Sequence, residues 1–137
     1  VHERTESGWL VDPARVAEPV EHARTAAEAV RALNHVTLPG GRLTKVSDLD
    51  TVVTEIGLLL SRLPQALRQC AAVLDEQATA GRVADDSGRD VVEVVAAVRD
   101  LLGLADLAAQ DAAGQVRAAG QHTARLFRVA GASEVAR

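Results

Sequence analysis

Four histidines and a single cysteine are the side chains best suited to chemistry in this sequence. His22 follows Glu18 by four residues and Glu21 by one, so on a helix Glu18 and His22 share a face. A carboxylate and an imidazole placed this way can bind a metal. A carboxylate-bridged two-metal centre, however, needs Glu-x-x-His on two helices plus further glutamates. The last helical segment offers Glu93 as its single glutamate and no Glu-x-x-His. His2, His22, His35 and His122 are therefore expected to be solvated or partly packed. Cys70 falls on an apolar stripe and is expected to be a buried structural thiol. "LPGGRL" lacks the Lys-Ser/Thr that completes a phosphate loop, and there is no dinucleotide-binding fingerprint. No catalytic residue, metal or cofactor is expected, and so no enzyme.

Composition points to long helices. Hydrophobic residues make up 47% of the 137, yet aromatics make up 1%, namely Trp9 and Phe127. A core of Leu, Val, Ile and Ala favours helices packed side by side over a sandwich that leans on aromatic and β-branched residues. One cysteine cannot form an internal disulfide, which points to a reducing cytoplasm. No apolar run reaches the length of a membrane span. The net charge of −4 gives no general attraction to nucleic acid or anionic lipid. Lys45 is the only lysine beside the arginines, and Ala and Val abound, a pattern of GC-rich bacterial codons.

Three apolar stripes give the elements. Residues 1–11 carry no helical period and read as a loose arm, followed by one helical domain over 12–130 and a tail over 131–137. Trp9 in the arm either pins it to the domain or presents an anchor to a partner. The first helix is expected over 13–36, with Asp12 as cap and Pro13 first, unless it begins at Pro19. Val16, Val20, Ala23, Ala27, Val30 and Leu33 mark its face, and "LPGG" ends it. Ser47 and Asp50 have the spacing of a capping box. Behind them comes the most apolar stripe of the chain, including Leu49, Val53, Ile56, Leu60, Leu67 and Leu74. Pro64 should kink or divide this second helix, and Gly81 should stop it. Ser87 and Asp90 repeat the box and open a third helix expected to reach Val129, longer than either partner. The 4–3 spacing of the stripes predicts an all-α fold, an antiparallel up-down-up three-helix bundle.

The third helix changes character midway. Leu101, Leu102, Leu104 and Leu107 give way to Ala108, Ala112 and Ala119, with Gly114 and Gly120 between them. Such a face must meet a partner that approaches closely or supplies the bulk itself. The bland alternative is that Ala here reflects helix propensity and codon usage. The expected contact residues are Trp9, Ala108, Ala112, Ala119, Leu126 and Phe127. An overhanging end bearing Leu126 and Phe127 would be covered by a second subunit, making a homodimer. Residues 75–111 carry nine acids against three arginines, whereas 112–137 carry four arginines against Glu134. That gradient suits the helix dipole. Arg117, Arg125 and Arg128 are the contacts a nucleic-acid alternative would use.

"RALNHVTLPGG", "LPQAL" and the run onward to Gly81 resemble small uncharacterised helical proteins of Streptomyces-type actinobacteria, often found with plasmids or mobile elements. The resemblance covers about a third of the chain and implies no catalytic residue. It implies that Pro64 belongs to the family pattern. The reading that follows is a non-enzymatic helical interaction or scaffold protein, an accessory of a mobile element, whose partner is another protein or itself. The rival is a DNA-associated accessory factor. Membrane partners are not expected. Gly8-Trp9 is not the Trp-x-Gly turn of secreted helical-hairpin proteins.

Overall fold

The computed structural model describes residues 18–127. They form three helices, α1 Pro19–Val36, α2 Val46–Thr79 and α3 Val91–Thr123, with no strand among them. The all-α class with three helices is therefore as the stripes require. The chain divides into two units, one ending at Leu43 and one beginning at Thr44. The expected arm, the Asp12-Pro13 start, Trp9, Arg128 and the tail all lie outside the described residues.

In the first unit α1 begins at Pro19, the later of the two expected starts. Proline presets the helical φ, and it lacks an N–H that would be unpaired there anyway. The Glu18 carbonyl accepts from the amides of Glu21 and His22 at 2.8 and 3.2 Å. At the other end the Thr37 amide and hydroxyl both donate to the Leu33 carbonyl, at 3.0 and 2.9 Å. The chain then folds back so tightly that Arg42 N–H reaches the Val36 carbonyl at 3.1 Å. Gly41 makes this possible: a Cβ there would lie 2.5 Å from the Val36 oxygen.

The second unit is a hairpin of α2 and α3. Asp50 meets Thr123, Arg68 meets Asp106 and Asp75 meets Arg99, so residue numbers rise on one helix as they fall on the other. The helices are antiparallel and closely packed, as the bundle reading requires of sequential neighbours. Val53, Leu60, Pro64, Leu67, Ala71 and Leu74 line the seam on α2. Val95, Leu102, Asp106, Ala109, Ala113 and Val116 line it on α3. Ala113 is 4% exposed and Val95 8%, and Pro64 is buried with them.

Four expectations about the ends are corrected. Ser47 does not cap α2, which begins at Val46 after Lys45 without a side-chain cap. Asp50 is engaged instead by the Thr123 hydroxyl at 2.6 Å, so a tertiary bond has displaced the local one. Ser87 does not open α3 either, because its hydroxyl donates to Asp85. Asp90 is the cap, accepting from the Val92 amide at 2.9 Å. Nor does α3 run to Val129 or outlast its partner: it stops at Thr123 with 33 residues against 34 in α2. The overhang that called for a second subunit is therefore absent.

The remaining expectations concern the helix interiors and the stop. Gly103, Gly114 and Gly120 are all carried inside α3 without a break. Pro64 does not divide α2 and is the buried residue of that helix. Gly81 ends α2 as expected. Its φ of +69° lets its amide reach the Ala78 carbonyl while Arg82 reaches that of Gln77, which completes a Schellman stop.

Candidate functional site

The broad apolar stripe of α2 resolves into two. One half enters the seam. The other half stands one residue earlier at each turn: Val52, Ile56, Leu59, Leu63, Cys70 and Val73. A face this wide exceeds what one neighbouring helix can cover. Leu59, Leu63 and Val73 are accordingly 38%, 40% and 56% exposed. Cys70 is exposed too, which corrects the expected buried thiol. It sits one position before the seam residue Ala71, and a single residue turns a side chain about 100° round a helix.

On α3 the residues just before the seam positions are Val94, Leu101, Ala105, Ala108, Ala112 and Gln115, and Ala119 precedes Gly120, which also faces α2. The expected small-residue face is therefore present but lies beside the seam. Ala108 and Ala119 are exposed and Ala112 is half-buried, while the close approach to α2 is made by Ala113, Val116 and Gly120. The stripe was read one residue off, because Ala occupies both sets of positions and cannot mark which faces in.

The two flanks of the hairpin differ. On one side, over a floor of seam residues, a cleft is lined by Thr54, Leu58, Ser61, Arg117 and Gln121, and another by Arg68, Ala72, Asp75, Arg99 and Gly103. These residues follow the seam positions on both helices. The residues that precede the seam positions on both helices consequently share the opposite side. The twofold relating antiparallel helices keeps front at front, so this is required of any such pair. One flank is thus cleft and bears charged and polar side chains, with Leu58 and Leu107 exposed among them. The other carries no charged side chain from Val52 to Val73 on α2, nor from Leu101 to Ala119 on α3 at the corresponding positions.

The polar flank holds the feature that the stripes did not disclose. Asp106 occupies a seam position and is 8% exposed. Arg68 Nη1 donates to its Oδ2 at 2.9 Å, and Gln110 Nε2 donates to its Oδ1 at 2.6 Å. The carboxylate is held by one guanidinium and one amide. Its sequence signal was available: Leu102, Asp106, Ala109 and Ala113 keep the 4–3 spacing, with an acid in an apolar slot.

The residues considered for chemistry stay apart. Among the described residues no three of His, Cys, Asp and Glu side chains gather as a metal site would need. Leu126 and Phe127 lie past the end of α3, 59% and 80% exposed, beside Lys45, Val46 and Thr123 in an open cleft. Arg117 and Arg125 are exposed. No helix of the described residues is long and apolar enough to cross a membrane. No protein-family model, curated protein or solved structure matches the chain.

Proposed function

We propose that this protein is a non-enzymatic helical interaction or scaffold module whose contact surface is the uncharged flank of the α2–α3 hairpin. The observation that carries this is that flank itself, where Leu59, Leu63, Cys70 and Val73 stand exposed over about four helical turns with no charge at the corresponding positions. Scattered apolar residues on a surface need no explanation, but a contiguous strip of this kind marks a contact surface. A role as accessory of an actinobacterial mobile element rests on the resemblance in "RALNHVTLPGG" and "LPQAL". A cytoplasmic setting rests on the lone thiol, Cys70. The DNA-associated alternative has exposed Arg117 and Arg125 to work with, but the net charge of −4 gives no general attraction to phosphate.

A photo-crosslinking residue at Leu63 tests the reading in cells that make the protein. It should yield a protein adduct, whether with another protein or with the chain itself, while the same residue at Ser61 on the polar flank should yield none. Equal yields from the two positions would sink the proposal.

A further inference from the structure

The uncharged flank is asymmetric, and the asymmetry selects an occupant. Its α2 half is bulky at Ile56, Leu59 and Leu63, and its α3 half is small at Ala105, Ala108, Ala112 and Ala119, with Gln115 and Leu101 the larger residues there. We infer that the occupant is a second copy of this chain, related by a twofold axis parallel to the helices, so that α2 of each copy lies on α3 of the other. This rests on the reading of the flank as a contact surface.

The register supplies the argument. The pairs Asp50–Thr123, Arg68–Asp106 and Asp75–Arg99 set the levels along the hairpin. By those levels Ile56 stands beside Ala119, Leu63 beside Ala112 and Cys70 beside Ala105, within about one residue's rise. A twofold parallel to the helices preserves level and exchanges left for right. Leu63 of one copy then meets Ala112 of the other, and Ile56 meets Ala119. At these two levels large faces small, which fills the gap between helices at interior density. The opposite pairing, α2 on α2, would set leucine against leucine and leave alanine facing alanine across a void. In the favoured arrangement every neighbouring helix is antiparallel, as within the hairpin. The flank is about 30 Å long and about 20 Å across two helices, on the order of 600 Å² per chain. That approaches the roughly 800 Å² per partner of a stable interface. A foreign partner would need this same alternation of bulk and hollow, which the chain already carries.

Sedimentation of the full chain from micromolar to about 100 µM, with the rate of Cys70 modification by a thiol reagent, tests the inference. The expected species has twice the 14.4 kDa chain mass, and Cys70 becomes slow to react as it forms. Leu63→Ala and Ala112→Leu should each weaken association about tenfold, and the double variant should recover most of the loss, because size is exchanged across the contact. Leu58→Arg, on the other flank, should change nothing. A monomer with reactive Cys70 would overturn the second copy and leave the flank free for another protein. A monomer with protected Cys70 would overturn both readings, since the same chain would then cover the flank. A dimer indifferent to Leu63→Ala and Ala112→Leu would place the contact elsewhere and overturn the inference. Should a variant unfold, the wild-type mass and Cys70 rate still decide.

Discussion

Asp106 shows how one side chain can be misread from composition. It counts among the acids that make the start of α3 negative, yet it sits in the seam, 8% exposed. Its carboxylate would be destabilising in the seam without Arg68 and Gln110. The Arg68 side chain is 60% exposed, so water and salt weaken its share. Arg68→Ala is expected to cost about 1 kcal/mol, and Asp106→Leu to be neutral or stabilising, since an apolar residue removes the need to desolvate a charge. Urea denaturation of both variants, compared at equal m-value, checks the order. A second carboxylate acts in the turn before α3. The Arg89 guanidinium, with the Ser87 hydroxyl behind it, lowers Asp85 from the ordinary 3.8 to about 2. A carboxyl depressed on folding stabilises the folded turn above its unfolded value and loses that contribution as protons bind. The Asp85 contribution is thus intact above about pH 4 and fades as pH falls toward 2. NMR titration of the Asp85 carboxyl should show the low midpoint, and Arg89→Ala should return it toward the ordinary value. A midpoint unmoved by Arg89→Ala would assign the shift to another cause.

At the scale of the helix, the interior stripes were legible and the starts were not. The stop at Gly81 could be read because one residue type meets a backbone demand, a positive φ. The starts at Val46 and Val91 could not, because capping boxes are short patterns whose side chains have other offers. Asp50 took Thr123, and Ser87 took Asp85. Pro64 is the other lesson of this scale. A proline in a helix interior costs roughly 3 kcal/mol relative to alanine, yet this one is buried in the seam of a continuous helix. Pro64→Ala recovers that penalty and gives up the burial of two ring methylenes, about 1.6 kcal/mol. The net expectation is a gain of about 1 kcal/mol, a rise of a few degrees in thermal midpoint. Thermal denaturation followed by circular dichroism reads it directly. A fall in midpoint would show that packing of the ring in the seam outweighs the helix penalty.

At the scale of the whole molecule, the hairpin unit presents two unlike flanks, one cleft and bearing charges, one without charge at the positions that precede the seam. That division explains why the α2 stripe is wider than a single seam needs, and why Leu63 and Val73 remain exposed. By itself the sequence determined the all-helical class, the number of helices, the turn at "LPGG" and the stop at Gly81. Those follow from side-chain period and from backbone demands that act over a few residues. Only the tertiary structure decided the register of α2 on α3, the matched lengths of the two helices, the burial of Asp106 and the exposure of Cys70. The physical reason is that one residue's shift turns a side chain about 100° round a helix. A stripe of leucine and alanine two positions wide is compatible with more than one rotation of the helix. The contacts of Arg68 with Asp106 and of Thr123 with Asp50, made between residues far apart in the chain, select one of them.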